Sequence, residues 1–438
     1  MQIDQITLQD LSIFHTEENF SVFHFLNCTQ TNGGREWFRY FLSNPFNSTK
    51  KIKQTQELLQ KIIAVADQWP QTISNGTIMV LERFYETAIN SLPNRPAIVG
   101  AFIYKLTNAS DFSVTKYTII HYVDFLKGLE QLVTLLDHED NPEILNDLLL
   151  RIKQLLKRAE IQAFLQIDKT RPISITTILH LGFFIRNNFK QQTLELIEIF
   201  SKLDAYYGMA VACKKHQLIF PEITETNMPV LSVKQVYHPL LHMPVAYDVE
   251  LKQEKNFIFL TGANMAGKST FIKAVGVAVY LAHVGMGVPA TEMQLSLFDG
   301  LLSNIQVADN IVKGESYFFN EVQRIKKTID KISDEKKWLI LIDELFKGTN
   351  VQDAMKCSTV VIAGLRKMNN ALFVLSTHLY EIGDQLKQYD NIQFRYFETS
   401  VEDDQLKFSY QLKEGISNDR LGYLILRKEG VVEMLEKL

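Results

Sequence analysis

Residues 259–271 read FLTGANMAGKSTF. An apolar run enters a loop with two glycines, and Lys-Ser-Thr follows. Gly262, Ala263, Asn264, Met265, Ala266, Gly267, Lys268, Ser269 and Thr270 satisfy the spacing G-x-x-x-x-G-K-S/T. The preceding FIFLTG (257–262) is strand-like and 268–283 has a helical pattern, which is the context this motif requires. Glycines let backbone N–H groups approach phosphates, and the start of a helix adds its positive end. Lys268 is expected to reach the β- and γ-phosphates, and the Ser269 hydroxyl to ligate Mg²⁺. The expected ligands are therefore ATP and Mg²⁺.

Two further apolar runs complete the pattern. WLILIDE (338–344) leads into Asp343, expected to help hold Mg²⁺ at a strand end, and Glu344, expected to polarise the attacking water. ALFVLSTH (371–378) ends at His378, placed to sense the γ-phosphate. Between the loop and these runs lies QVADNIVKGESYFFNEVQRIKKTI (306–329), in which Gly314-Glu315-Ser316 ends a loop before a helical segment. In ATPases that dimerise face to face, such a helix start closes on the γ-phosphate held by the other subunit. Gly314 and Ser316 are thus expected to contact nucleotide across a homodimer.

The rest of the chain divides by texture. Residues 1–228 read as an all-helical domain, with apolar residues at three- and four-residue spacing over 51–69, 122–136, 141–165 and 193–216. Asn141 is the expected N-cap of the third of these, with Pro142 in its first turn. Prolines and β-favouring residues over 217–235 mark a boundary. Residues 229–438 alternate short buried-type strands with helices, the pattern of an α/β ATPase domain.

Net charge is −4, and each half, divided at residue 225, carries two more acidic than basic residues. Neither half has the overall basicity of a strong DNA binder, so any nucleic-acid contact needs a local patch. Arg151, Lys153, Lys157 and Arg158, with Arg186 and Lys190, form the best basic cluster, and its competing reading is a solvated helix face. Cys28, Cys213 and Cys357 are too scattered for a disulfide framework or zinc site. No secretory signal or bilayer-length apolar run is evident, and a cytoplasmic location is expected.

With these motifs in hand, the sequence resembles the MutS family of DNA mismatch-repair ATPases. TGANMAGKST keeps the Asn-Met pair of the family's T-G-P-N-M-G-G-K-S-T, which other phosphate loops rarely show. DNIVKGESYFFNE is similar to D-D-x-x-x-G-x-S-T-F-x-x-E, LIDELFKGTNVQDAM to L-L-D-E-x-G-R-G-T-S-x-x-D-G, and STHLYEI to A-T-H-Y-H-E-L. VYHPLL (236–241) resembles the family's R-H-P entry segment, and CTQTNGGREWFRYFLSNPF (28–46) its T-x-T-x-x-G-x-R motif. The resemblance implies a helical core and lever followed by an ABC-type phosphate-loop ATPase domain. It implies a homodimer with composite ATP sites, and DNA or a repair or recombination protein as partner. Tyr247 and Val245 lie near the expected place of the base. Departures include Ala263 and Ala266 in the phosphate loop, Tyr317 beside Ser316, and Lys347 for arginine. Ala266 is tolerable if its φ stays negative.

The chain is also expected to lack the family's mismatch-reading, connector and clamp domains. Phe84-Tyr85-Glu86 spells the reading domain's Phe-x-Glu, but within a helical stretch, and reads as coincidence. Two functions stand against each other: an Mg·ATP-hydrolysing dimeric switch that moves a helical lever on DNA, and a nucleotide-gated protein-interaction module that never touches DNA. A transporter ATPase would show Leu-Ser-Gly-Gly-Gln, which is missing. A chromosome-structure ATPase would separate its two main motifs by hundreds of coiled-coil residues.

Overall fold

A computed structural model describes residues 1–305, 317–402, 405–417 and 431–436. Helices fill the first half: α1 (Gln5–Asp10), α2 (Val22–Leu26), α3 (Asn32–Ser43), α4 (Thr49–Val65), α5 (Asn75–Glu86), α6 (Ile98–Thr107), α7 (Ala109–Leu136), α8 (Glu143–Leu156), α9 (Ala159–Leu165), α10 (Ile175–Asn187) and α11 (Lys190–Lys215). Then come β1 (Glu222–Thr224), β2 (Leu231–Val236), β3 (Tyr247–Leu251), β4 (Phe257–Thr261), α12 (Lys268–Val284), β5 (Glu292–Ser296) and β6 (Gly300–Asn304). After these run α13 (Tyr317–Ile332), β7 (Trp338–Asp343), α14 (Val351–Leu365), β8 (Ala371–Ser376), α15 (Ile382–Leu386), β9 (Ile392–Glu402), β10 (Gln405–Glu414) and α16 (Val431–Glu436). The expected mix of a helical first half and an α/β second half is what the chain adopts.

The chain divides into two compact units, and the division is not at residue 228. One unit holds Leu26–Ser43 and Lys53–Lys215; the other holds Met1–Phe25, Asn44–Ile52 and His216–Leu438. Met1–Phe25, Asn44–Ile52 and the stretch from His216, all within the expected domain 1–228, group with the sheet-bearing unit. The cause is a set of backbone and side-chain contacts that helical periodicity does not report. Gln2 makes a parallel bridge to Gly300 on β6, with its N–H on Asp299 O at 2.7 Å. The Asp10 carboxylate, 2% exposed, accepts the Ser303 hydroxyl at 2.5 Å and the Ile305 N–H at 3.0 Å. Leu11 is fully buried and packs where a side chain at Gly276 of α12 would otherwise sit.

The helical unit is built on α7 and α11, whose buried stripes supply its core. The stretch expected as one helix over 141–165 breaks into α8 and α9 at Lys157–Arg158. Pro142 rather than Asn141 is the N-cap of α8, and Asn141 instead donates to Leu136 O at 2.6 Å. Phe84 is buried on α5 and Tyr85 donates to Thr193 Oγ1 at 2.8 Å, so the Phe-Tyr-Glu triplet belongs to the helical core.

Among the described residues the other unit has two sheets. Six strands run in the order β10-β9-β4-β8-β7-β6 and four in the order β1-β5-β2-β3. In the larger sheet β4, β6, β7, β8 and β9 are parallel and β10 returns antiparallel. The central strands β4, β7 and β8 are buried at every position, which explains their unbroken apolar sequences. Parallel strands align their C-terminal ends, so the loops after β4, β7 and β8 converge on one edge.

Candidate functional site

Thr261 ends β4, and the loop that follows turns on three left-handed residues: Gly262 (φ 140), Met265 (φ 67) and Gly267 (φ 107). A Cβ at Gly262 would meet Phe397 at 3.2 Å, so this corner admits only glycine without strain. Ala263 and Ala266 are absent from the positive-φ residues, so the methyl groups that depart from the family pattern are accommodated. α12 begins at Lys268 with the loop at its N-terminus. Lys268, 5% exposed, donates through its ammonium to Gly262 O at 2.8 Å and Ala263 O at 2.9 Å. Burial lowers its pKa to about 8, against the opposing pull of Glu344 and Asp343.

The expected acidic partners arrive from the neighbouring strands. Asp343 and Ser376 are register partners at the ends of β7 and β8, and the Ser376 hydroxyl donates to the Asp343 carboxylate. Glu344 follows at φ 66, its N–H held by Ser376 O at 3.0 Å. Its carboxylate lies 2.5 Å from His378 Nε2 and 3.1 Å from Lys347 Nζ. Burial works to raise its pKa, but His378 and Lys347 outweigh it and hold the value at about 2. Glu344 is thus a fixed carboxylate at neutral pH.

A cavity of about 450 Å³ joins these parts, lined by Asn264, Met265, Gly267, Lys268, Ser269, Thr270 and Glu344. Its other wall is Leu241, Met243, Val245, Tyr247 and Tyr410. Tyr247 is fixed by edge-on contacts with Phe271 and Phe397, each at 5.5 Å between centroids. Tyr410 was not legible in sequence: it stands at φ 53 inside a register shift of the β9–β10 pair, 142 positions after Lys268. No spacing rule points to it.

The residues fit a nucleoside triphosphate with Mg²⁺. A glycine-cornered cradle opens at the start of α12, a buried ammonium lies in it, and an aromatic wall stands beside it. Lys268, with the loop's N–H groups, would hold the phosphates, and Ser269 and Asp343 would hold the metal. Gly314 and Ser316, expected to act across a dimer, lie outside the described residues.

The basic cluster on the helical unit is largely engaged internally. Arg151 binds Glu195 through two bonds at 2.6 and 2.8 Å, and Lys153 binds Asp137 at 2.6 Å. Arg186 donates to Thr87 O at 2.8 Å and also to Phe84 O, and Arg158 and Lys190 lie over the rings of Phe189 and Tyr85. Among the described residues no helix is long and apolar enough to cross a membrane.

Residues 258–435 match the family model described as MutS domain V. The chain is 29% identical over 266 residues to the DNA mismatch repair protein MutS of Listeria innocua, covering 57% of this chain and 30% of that protein. It is 30% identical over 233 residues to MutS of Pseudothermotoga lettingae, covering 52% and 28%. It is 28% identical over 235 residues to the DNA mismatch repair protein spellchecker 1 of Drosophila melanogaster, covering 52% and 25%. The matched stretch is thus under a third of each relative's length.

Proposed function

We infer, from the match of residues 258–435 to MutS domain V, that the chain is an Mg·ATP hydrolase of the MutS kind, a homodimeric switch that drives a helical lever. The observation that carries this reading is one edge of one sheet. There a buried lysine in a glycine-cornered loop, the Asp343–Ser376 pair and the Glu344–His378 pair all converge.

The chemistry assigned to these groups is phosphoryl transfer to water, which needs positioning and charge stabilisation more than covalent help. Lys268 exchanges the carbonyls of Gly262 and Ala263 for phosphate oxygens, while the loop's N–H groups take others. Bound Mg²⁺ supplies neutralisation of charge on the phosphates. Glu344, ionised and held by His378, orients the attacking water, and His378 is the group nearest that carboxylate to report the γ-phosphate. Tyr247 and Tyr410 offer aromatic faces to the base. Gly314 and Ser316 of one protomer complete the site of the other.

As the task of the switch we propose a grip on DNA in mismatch repair or a recombination-related process. A second reading, a nucleotide-gated module that binds a protein and no DNA, is favoured by two observations. The basic side chains best placed for phosphate contact are largely tied to internal partners. On α6, Ile98, Val99, Phe102, Ile103 and Leu106 form an exposed apolar stripe.

ATP turnover should be measured with and without homoduplex, mismatched and branched DNA, alongside gel-shift over a salt titration. Stimulation by one DNA form, with affinity falling as salt rises, supports the DNA switch. Unaltered turnover and no shift at low salt leave the protein-binding module. Absence of any Mg·ATP turnover or binding overturns the enzyme reading.

A further inference from the structure

The turn after β7 is folded against its residues' preferences. Glu344 has φ 66 and Phe346 φ 59, left-handed values that strain an L-residue with a side chain. The pattern D-E-x-G-R-G has glycine at the place of Phe346, and glycine adopts this region freely. A bulky residue stays there only when its surroundings over-determine it.

Those surroundings are the first turns of α13. The Phe318 and Phe346 rings meet at 5.7 Å between centroids. Glu321, 2% exposed, directs its carboxylate at the backbone of the turn. Its Oε1 accepts the Lys347 N–H at 3.2 Å and its Oε2 the Gly348 N–H at 3.3 Å. Successive N–H groups converging on one anion make a nest of the kind that usually binds a ligand. Here the protein fills it with its own side chain. Two residues before Phe346, the Glu344 carboxylate is aimed at His378.

We propose that Glu321 is a positioning residue: its carboxylate braces the strained Phe346–Gly348 turn and so fixes where Glu344 presents its carboxylate. The inference rests on the hydrolysis reading above, and it assigns Glu321 no contact with the reacting atoms. Removing the brace takes the acceptor from two part-buried N–H groups and lets the turn relax towards negative φ, which carries Glu344 out of place. Nucleotide binding depends on the Lys268 loop, which Glu321 does not touch.

The test compares the full chain with Glu321→Ala, Glu321→Gln, Phe346→Gly and Glu321→Ala/Phe346→Gly. Steady-state ATP turnover, affinity for a fluorescent ATP analogue, and amide hydrogen exchange at residues 344–348 without nucleotide are read for each. Glu321→Ala is expected to lower kcat by about tenfold or more, roughly the loss of one positioning contact, with analogue affinity within about threefold. Exchange at Lys347 and Gly348 should quicken. Glu321→Gln keeps one carbonyl acceptor and should fall between, which preserves the test if the alanine variant folds poorly. Adding Phe346→Gly to Glu321→Ala should recover much of the lost kcat, because glycine holds the turn unaided. Unchanged kcat, or kcat and affinity falling together, or a double variant no better than Glu321→Ala, overturns the brace. A wild-type chain without ATP turnover sinks the hydrolysis reading and this proposal's link to Glu344, whereas unchanged exchange in Glu321→Ala sinks the brace alone.

Discussion

Lys268 sits at the point where burial and charge compete. Its pKa of about 8 lies below the ordinary lysine value because the ammonium is largely out of water. A bound phosphate favours the charged form, so binding above pH 8 must take up a proton. Affinity for ATP is therefore expected to be flat up to about pH 8 and then to fall by up to roughly tenfold per unit. A fluorescent-nucleotide titration between pH 7 and 9.5 checks this, and a flat profile contradicts it. Lys268→Ala should remove detectable binding. Glu344→Gln should retain ATP and accumulate an ATP-bound dimer with turnover lowered by roughly a hundredfold or more; light scattering with ATP and a single-turnover assay read both. The glycine-cornered loop, Asp343, Glu344 and His378 were readable as candidates because each lies at or just past the end of an unbroken apolar strand. Phe346 stands where the D-E-x-G-R-G pattern has glycine, but only its φ of 59 shows that the turn keeps the left-handed conformation with a bulky residue in place.

At the scale of elements, the start of α3 shows where local reading stops. Thr31 caps the helix through Gly34, whose N–H lies 3.1 Å from Thr31 Oγ1. The wider cap comes from Asp204 on α11, fully buried, which accepts Gln30 N at 3.0 Å, Thr31 N at 2.8 Å and the Thr31 hydroxyl at 2.6 Å. A Cβ at Gly34 would stand 2.0 Å from that carboxylate, which explains the glycine. Asp204→Ala strands these donors and should destabilise the helical unit by roughly 2–4 kcal/mol, measured as a lower denaturant midpoint at unchanged slope. Loss within experimental error would mean the donors find other partners. The TQTNGG motif announces a helix start, but its anion lies 173 positions from Thr31 and carries no local signal.

At the scale of the whole molecule, the sheet-bearing unit is discontinuous. Met1–Phe25 and Asn44–Ile52 complete it, so a fragment beginning at His216 should expose the β6 edge and aggregate, while the full chain stays soluble. A monodisperse, nucleotide-binding fragment would contradict this. Asn44–Ile52 also brings a pH dependence. His283 Nε2 accepts the Phe298 N–H at 3.2 Å, so its Nδ1 carries the proton shared with Phe46 O at 3.0 Å. Burial lowers this imidazole to about 4. Its folded pKa lies below the unfolded one, so the unfolded chain binds more protons between these values. The stability it contributes is present above pH 6.5 and is lost as pH falls towards 4. His283→Phe should flatten that part of a stability-versus-pH curve, and an unchanged acid slope would assign it elsewhere.

By itself the sequence determined the central strands β4, β7 and β8 of the larger sheet, the loop that follows β4 and the two acids at the end of β7. These depend on hydrophobic runs and on groups within a few residues of one another. Tertiary structure alone decided that the first 25 residues belong with the last 223, that Tyr410 joins the pocket wall, and that Glu321 holds the turn bearing Glu344. Each of those is a contact between positions far apart in sequence or a backbone angle imposed by packing, and neither leaves a periodic trace along the chain.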